Sequence, residues 1–504
     1  INGPYSLILL DRVLTSWNYS GDPYPILYFK DNFEKVRQNA ESDPEYIQKL
    51  IRKYLLDNQK MAYVQIDPSA KYLKDRKKKE AQLIKSIRKT LDVQKTKADL
   101  QLLHEYQQHR ETSEEVSCIP SLKLSDLKTE CEVIDTKVSH FGVEGNESGK
   151  DKVVLIENCE DTNGIVYFEM GFPVDSFSPE EYKYLPLFAN CVASTGWKGK
   201  SWSECADIAG VCTSGVVTRL FTGALINSEY GLKKQNELEK FNICGRDYMM
   251  FETKFICEDI DKAFDMFGDF ITGYEFEDDK HLATIIEENR NGIKSCVVPR
   301  GNRFAARRAQ CHLEHSGSVD EIWHGITQLF AIQRISQEKL SDLKKKFLDF
   351  KTRLSAAGCF VHVTADSASL EIVKSKLPKF AGKNGFFAPL PKTAVDEEAF
   401  VKATYLPGEN KVEMNESFPI KSQVGYAATY MPGAKYGTKE YAAANVLSHW
   451  LSGTYLWERI RTTGGAYGAY AGCNPGADSF YFSTYRDPSA AKSKNLFPKV
   501  LKEA

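Results

Sequence analysis

The sequence has no excess of charge of either sign, no long apolar run and no paired cysteines. Its 504 residues include 66 Lys and Arg against 68 Asp and Glu, a formal net charge of -2. This balance argues against binding nucleic acid through bulk charge. The basic run at residues 76–79 is flanked by Asp75 and Glu80 without interleaved aromatics, and we interpret it as a solvated helix face. No apolar run approaches the roughly 18 residues needed to cross a bilayer. We therefore expect neither nucleic acid nor a membrane as a partner.

Metal-binding and nucleophile motifs are also absent. The 12 cysteines include no C-x-x-C pair, which excludes a zinc ribbon and favours reduced, buried thiols. The sequence contains no H-E-x-x-H, H-x-x-E-H or G-x-S-x-G motif and no complete phosphate loop. His312 and His315 can share one helix face, but a zinc site needs a third ligand and none stands nearby. We therefore expect a helix-cap or surface role for this pair and no metal site in the chain.

The hydrophobic content of 42% is ample for several cores, and about 150 residues per domain predicts three or four domains. Residues 70–116 contain no Gly or Pro and are dense in Lys, Glu, Gln and Leu. Apolar residues on one face at 84–91 and again at 100–106 predict two charged helices that form an antiparallel hairpin. Upstream of them, residues 46–56 have helical spacing and residues 62–66 alternate like a strand.

The second part of the sequence repeats itself. Residues 165–174 align with 424–433 so that Pro173 falls on Pro432, and the match needs no gap for about thirty residues. The pattern in each copy predicts a strand that ends at a proline, then a loop and an amphipathic helix, followed by a short helix and two strands. The predicted later strands are residues 216–226 and 248–256 in the first copy, and 466–471 and 479–485 in the second. We expect the second copy to begin with a strand at residues 359–363. The predicted class is α+β, with antiparallel strands and helices packed on one face.

The most specific local pattern is WERIRTTGGAYG at residues 457–468. It predicts a helix that ends in Arg461, a turn at Gly464 and Gly465, and a strand that opens with Ala466 and Tyr467. The glycine pair permits positive φ and close backbone approach. A guanidinium and a phenol can together hold a peptide carbonyl or stabilise an oxyanion. From the residues alone the favoured alternative is that Arg461 caps its own helix and Tyr467 lies in a sheet.

With this pattern in view, nearly the whole chain resembles the presequence-protease and falcilysin branch of the pitrilysin/insulysin superfamily, which are zinc peptidases with an inverted H-x-x-E-H motif. The resemblance implies tandem homologous domains in two bowl-like halves, joined by a helical hairpin and closing around an unfolded peptide. It also implies that Arg461 and Tyr467 reach across to the bound peptide. Gly464, Gly465 and Ala466 belong to the same motif and are implied to bind substrate.

The resemblance also divides the chain into domains. Residues 1–67 resemble the end of a second peptidase-like domain and 70–116 the hinge hairpin. Residues 130–350 resemble a third, non-catalytic domain, and 357–504 a fourth domain that is incomplete at its C-terminus. The family's zinc and its Glu base belong to a first domain, which we expect to be missing from this chain.

The repeat tests whether zinc could bind elsewhere in the chain. The family's motif positions fall on side chains that can neither ligate zinc nor act as a base. These positions are Leu185, Phe188 and Ala189 in the first copy, and Ala444, Leu447 and Ser448 in the second. Aligning Ile460 with Ile208 puts Ala209 opposite Arg461 and Gly215 opposite Tyr467. Only the second copy therefore carries the Arg/Tyr pair.

These inferences predict the C-terminal part of a zinc metalloendopeptidase that degrades unfolded peptides inside a closed chamber. The chain would supply hinge, chamber wall and substrate clamp, would hold no catalytic zinc and would be inactive alone. The expected partners are unfolded peptides and the missing N-terminal half of the protein. The alternative is a non-catalytic scaffold subunit of the same superfamily, of the respiratory-complex core or processing-peptidase partner type, which an upstream H-x-x-E-H would exclude. The resemblance implies an organelle without choosing among mitochondrion, plastid and digestive compartment.

Overall fold

The computed structural model describes residues 5–503, apart from 110, 129, 131–133, 145–151, 224–237, 387–389, 391–395 and 412–414. The end of the strand predicted at 216–226 lies outside these residues. The chain divides into two units, Ile1–Thr129 and Glu130–Ala504. Among the described residues, none of the helices combines the length and the apolarity that crossing a membrane requires.

The first unit is helical, and none of its described residues is buried. Its helices are α1 (Tyr5–Ser20), α2 (Phe29–Ser42), α3 (Tyr46–Ile51), which continues as a π-helical turn at Arg52–Leu56, α4 (Ala70–Thr90) and α5 (Val93–Gln108), with 3-10 turns at Pro25–Leu27, Glu115–Cys118 and Leu124–Asp126. The two helices predicted within 70–116 are confirmed. The Ser69 side chain caps α4 and the Asp92 side chain caps α5 by accepting backbone N–H bonds in the first turn.

The strand predicted at residues 62–66 is wrong. These residues are exposed and belong to no helix or strand. Alternation of apolar and polar residues makes a strand only where a neighbouring strand satisfies the backbone N–H and C=O groups. No described residue supplies such a partner to this segment.

A six-stranded mixed sheet forms the centre of the second unit. Its strands are β1 (Thr136–Gly142), β2 (Lys152–Cys159), β3 (Ile165–Pro173), β4 (Val216–Thr222), β5 (Asp247–Ile256) and β6 (Phe360–Ala365), in the order β1-β2-β6-β3-β5-β4. The predicted α+β class is confirmed, and the pair β2–β6 is parallel while the other pairs are antiparallel. Alternate residues enter different cores: Val361 and Val363 face the large core, whereas Phe360 packs in a smaller cluster.

The prediction that the strand near residue 359 opens the second copy is wrong. This strand is β6, which lies between β2 and β3 and pairs Phe360 with Val154 and Thr364 with Tyr167. A boundary at 350–357 would therefore cut through the first sheet. Sequence periodicity identifies a strand but does not show which strands lie beside it. The assignment of the parts to domains of the resembling family stays a prediction.

Helices cover the large core of the first copy. They are α6 (Pro179–Tyr182), α7 (Leu185–Ser194), α8 (Trp202–Cys212), α9 (Ile260–Gly273), α10 (Asp279–Cys296), α11 (Gly301–Gln310), α12 (His315–His324), α13 (Ile326–Ile335), α14 (Leu340–Ala356), α15 (Ser367–Asn384) and α16 (Glu397–Ala403), with 3-10 turns at Glu239–Phe241 and Cys257–Asp259. Phe168 of β3 shows why they pack there. Its ring is fully buried and contacts the rings of Phe264, Phe267 and Phe380 on α9 and α15.

The second copy contains a three-stranded antiparallel sheet, ordered β7-β9-β8. Its elements are β7 (Ala428–Pro432), α17 (Lys439–Leu451), a π-helical run at Ser452–Thr462, β8 (Gly468–Asn474), β9 (Ser479–Tyr485), α18 (Ala490–Lys494) and α19 (Phe497–Glu503). This order matches β3-β5-β4 of the first copy, which confirms the repeat. The strand predicted at 479–485 is confirmed to the residue. The buried Phe497 stacks on Phe482 with their ring centroids 4.9 Å apart, so the last helix closes this small core.

Candidate functional site

The backbone alone closes the helix that carries Arg461. Gly465 has φ of +80° and donates its N–H to the Arg461 carbonyl at 2.9 Å, and the Ala466 N–H donates to the Ile460 carbonyl at 3.0 Å. A Cβ at Gly464 would lie 2.6 Å from the Ile460 carbonyl oxygen. The two glycines are therefore needed for different reasons, Gly465 for its left-handed conformation and Gly464 for its close approach to the helix end.

Arg461 lies against two aromatic rings. Its guanidinium carbon is 4.0 Å from the centre of the Trp457 ring and 5.5 Å from the centre of the Tyr467 ring. Among the described residues it makes no hydrogen bond and no ion pair, and its side chain is partly exposed. The alternative in which Arg461 caps its own helix is thus not what the structure describes, because the backbone N–H groups already do so.

Tyr467 stands beside Arg461 at the start of the sheet. Its side chain is 62% exposed, and its backbone N–H donates to the Tyr485 carbonyl at 3.1 Å. Its ring meets the Tyr485 ring edge to face, with their centroids 5.9 Å apart. The backbone is therefore fixed by the sheet while the phenol remains open to solvent.

The arrangement offers two kinds of donor on one exposed surface. The planar guanidinium of Arg461 presents several N–H groups and Tyr467 presents one O–H. Both can donate to a carbonyl oxygen, and both would bind it more strongly if it acquired negative charge. The N–H groups of Gly465 and Ala466 are already bonded within the turn, and the Ala466 side chain is buried. These two residues, together with Gly464, shape the turn, and their predicted role in binding substrate remains untested.

Trp457 and Tyr485 are the members of this surface that the sequence interpretation missed. Trp457 precedes Arg461 by four residues, which is the spacing at which helical side chains meet. The spacing of four residues between Trp457 and Arg461 therefore predicts that their side chains are in contact. Tyr485 has no comparable signal, because it comes from another strand and reaches Tyr467 only through sheet pairing.

The structure describes no zinc site at the motif positions of either copy. Leu185 and Phe188 on α7 are fully buried in the apolar core, and the Ser448 hydroxyl on α17 donates to the Asn445 carbonyl. No group of three or more His, Cys, Asp or Glu side chains in the described part of the chain is placed to hold a metal ion. The described residues therefore do not fit a zinc ion.

The surface or helix-cap role expected for the pair His312 and His315 is only half right. His312 is exposed, but His315 is partly buried and its Nε2 lies 2.9 Å from Asp247 Oδ2. The buried Tyr182 hydroxyl donates to the same carboxylate oxygen at 3.1 Å. His315 thus joins α12 to β5, which its sequence neighbourhood did not indicate.

Comparison with known proteins places this geometry in a family context. Residues 66–335, more than half of the chain, match the family described as peptidase M16 (subfamily C) associated, and residues 415–503 match the PreP C-terminal domain. The mitochondrial presequence protease of Yarrowia lipolytica is 23% identical over 98% of this chain and 47% of that protein. The mitochondrial presequence protease of Saccharomyces cerevisiae is 26% identical over 98% of this chain and 47% of that protein.

Among solved structures, the crystal structure of a peptidase M16 inactive domain from Pseudomonas fluorescens matches with a TM-score of 0.45 at 15% identity. The match covers 73% of this chain and 79% of that one. The chain spans about half the length of the curated relatives that it matches.

Proposed function

Because this chain belongs to the family associated with subfamily C of the M16 peptidases, we propose that it forms part of a zinc metalloendopeptidase that degrades unfolded peptides. In this proposal α4 and α5 form a hinge, the second unit forms part of a chamber wall, and Arg461 and Tyr467 clamp the peptide. The observation that carries the clamp is the guanidinium of Arg461, which lies over the Trp457 ring and makes no hydrogen bond or ion pair with the described residues.

The clamp acts on a peptide carbonyl. An Arg461 N–H and the Tyr467 O–H donate to the carbonyl oxygen and hold the peptide in one orientation. As that oxygen gains negative charge during attack on the carbonyl carbon, both hydrogen bonds strengthen, and this difference between ground state and transition state is what accelerates a reaction. A bound zinc ion would supply an activated water, and its ligands have no counterpart among the described residues of this chain.

The first test concerns the chain by itself. Since the motif positions of both copies lack ligating side chains, we expect the purified chain to cleave no peptide and to hold no stoichiometric zinc. Elemental analysis after dialysis and a fluorogenic peptide assay measure the two properties. Turnover by this chain that a chelator abolishes would contradict the proposal.

The second test concerns the clamp. In the complete enzyme, Arg461→Ala and Tyr467→Phe should each lower kcat/KM by about 10²–10³-fold, because removing one such donor typically costs about 2.7–4 kcal/mol of transition-state stabilisation. The matched control is Arg459→Ala. Arg459 lies on the same helix as Arg461, and its side chain pairs with Glu503 at 2.5 Å. We expect the control to stay near wild-type turnover.

Thermal unfolding of the same variants separates the clamp from a structural role. Wild-type turnover combined with a lowered Tm in both clamp variants would indicate that the pair only stabilises the turn. That result would remove the clamp and leave the peptidase standing, whereas absence of turnover in the wild-type complete protein would favour the scaffold alternative.

The proposed partners are unfolded peptides and the part of the enzyme that carries the zinc centre. Relatives are named as mitochondrial in yeasts and as chloroplastic/mitochondrial in Arabidopsis thaliana. We therefore propose an organellar location, which fractionation of cells that express the full protein would test. Recovery in the cytosolic fraction alone would contradict it.

A further inference from the structure

A cavity of about 1090 Å³ lies within the first copy, away from the turn that carries Arg461. It is lined by residues of α7, α8, β4, α10, α11 and α12. Much of its wall is apolar, including Pro186, Ala189, Ala193, Val216, Ile285 and Ile293. The volume is slightly above the usual range for small-molecule sites, about 300–1,000 Å³, so the cavity has room for several groups at once.

Three side chains that line the cavity have buried polar atoms without a hydrogen-bond partner. These atoms are Thr195 Oγ1, Asn289 Oδ1 and Trp323 Nε1. Trp323 is only 2% exposed and Thr195 only 7%. An unpartnered buried polar atom costs roughly 1–3 kcal/mol, and native proteins contain few of them. The three atoms are also closed to water, so they lie behind the surface of the cavity and do not themselves identify what enters it.

The charge of the lining is strongly biased. Four arginines and one acidic residue, Glu288, line the cavity. Arg219 pairs with Glu252 and Arg307 with Asp320, at 2.7 and 2.8 Å. The other two arginines, Arg300 and Arg303, have no ion pair or hydrogen bond from their side chains among the described residues. They lie at the N-terminal end of α11, which itself attracts negative charge.

We propose that this cavity binds a peptide segment that carries a carboxylate. Arg300 and Arg303, which both line the cavity and have no ion pair among the described residues, pair with the carboxylate. The apolar wall holds a neighbouring hydrophobic side chain. The carboxylate can be the C-terminus of the peptide or an acidic side chain, since both have the same chemistry. The choice of a peptide rests on the proposed function.

Gly292 offers a way to fill the cavity without disturbing the fold. It lies on α10, lines the cavity, and a Cβ built on it meets no atom within 4 Å. Gly292→Trp should therefore occupy the cavity. The matched control is Gly210→Trp, since Gly210 is a helical glycine on α8 with equally open space and does not line the cavity.

Fluorescence anisotropy with the whole chain tests the proposal. The probe is a labelled peptide of Leu and Ser with a free C-terminal carboxylate, compared with its C-terminal amide and with an amidated peptide that contains Asp. We expect the amide without Asp to bind at least roughly tenfold more weakly than either acidic peptide, because it lacks the negative charge that the two arginines bind. Gly292→Trp should lose at least as much affinity for the acidic peptides, while Gly210→Trp should match the wild type.

Arg303→Gln should narrow the difference between acid and amide and reduce the salt dependence of binding. Equal binding of acid and amide, or wild-type binding by Gly292→Trp, would overturn the inference. Displacement of the probe by succinate as readily as by unlabelled peptide would overturn the peptide as occupant. Arg461→Ala should leave the affinity of this cavity unchanged. Loss of binding in Arg461→Ala but not in Gly292→Trp would overturn the inference and leave the proposed clamp standing.

Discussion

The two copies in the second unit have the same strand order but different side chains at one turn. In the first copy the Ser214 N–H donates to the Lys254 carbonyl at 2.9 Å, and in the second the Tyr467 N–H donates to the Tyr485 carbonyl at 3.1 Å. The backbone bond is the same, yet one side chain is a small hydroxyl and the other an exposed phenol. Duplication thus preserved a scaffold, and the candidate site depends on side chains placed on only one of its copies.

This comparison corrects the sequence alignment by one residue. The sequence alignment places Gly215 opposite Tyr467. Because Pro173 pairs with Tyr248 and Pro432 with Ser479, Lys254 and Tyr485 occupy the same register position in their strands. Their partners across the turn are Ser214 and Tyr467. The first copy still lacks a phenol there, so the conclusion that only the second copy carries the pair does not change.

Helix α11 and the turn before it join the two copies. The Tyr485 hydroxyl lies 3.5 Å from the Pro299 carbonyl oxygen that accepts from it, and a Cβ on Gly301 would collide with the Tyr426 ring. Further along α11 the buried Arg308 donates to both carboxylate oxygens of Glu416, at 2.6 and 2.7 Å. Removing one charge from this junction leaves its buried partner unpaired. The junction therefore tolerates substitution less well than an apolar contact would.

The largest expected effect comes from removing that central charge. Arg308→Met should lower the free energy of unfolding by about 3–5 kcal/mol, the usual cost of breaking a buried ion pair by removing one partner. Urea unfolding measures the loss. The matched control Arg303→Met changes an exposed arginine on the same helix and should stay within about 0.5 kcal/mol of wild type. If Arg308→Met unfolds like the control, the junction does not hold the copies together.

The next effect concerns Glu321, a fully buried residue of the first copy near Arg308. Burial raises the pKa of Glu321 to about 7, against the opposing effects of the Thr327 N–H and Arg308. Because the folded pKa exceeds the unfolded one, the stability contributed by the protonated form is present below pH 4.5 and is lost as the pH rises through about 7. Glu321→Gln should remove this dependence, which is of the order of 3 kcal/mol.

Urea unfolding at a series of pH values between about 4 and 8 measures this effect. The exposed Glu287→Gln on α10 is the control and should keep the wild-type pH dependence. An unchanged profile in Glu321→Gln would show that the pKa of this carboxyl is the same in the folded and unfolded states.

The smallest expected effect distinguishes loss of stability from loss of turnover at a glycine in each of the two turns. Gly465 and Gly215 each have positive φ, +80° and +98°, and a Cβ on either meets no atom closer than 3.6 Å. Alanine at either position should therefore cost about 1–2 kcal/mol of backbone strain alone. Only Gly465→Ala should also lower turnover in the complete enzyme, since only its turn carries the clamp. Equal loss of turnover in both variants would mean that turnover falls because the protein is less stable, and not because the clamp is displaced.

Local patterns predicted individual elements well and their neighbours poorly. The period of two at residues 479–485 located β9, and the helical spacing near Ile84 and Leu103 located α4 and α5. The same reasoning misplaced β6, because its partners Val154 and Tyr167 are roughly two hundred residues away in the sequence. The adjacency of Arg461 and Tyr467 followed from a local motif. The junction of Arg308 with Glu321 and Glu416 could not be predicted, since three isolated charges carry no period.

The stack of Arg461 on Trp457 has a consequence for entropy. A free arginine side chain loses up to roughly 2 kcal/mol of rotamer freedom when it is fixed. Here much of that ordering already happens when the protein folds, because the guanidinium carbon lies over the Trp457 ring, 4.0 Å from its centre. A ligand that meets Arg461 therefore orders less of the protein than it would at a mobile arginine, so more of the hydrogen-bond energy remains as affinity.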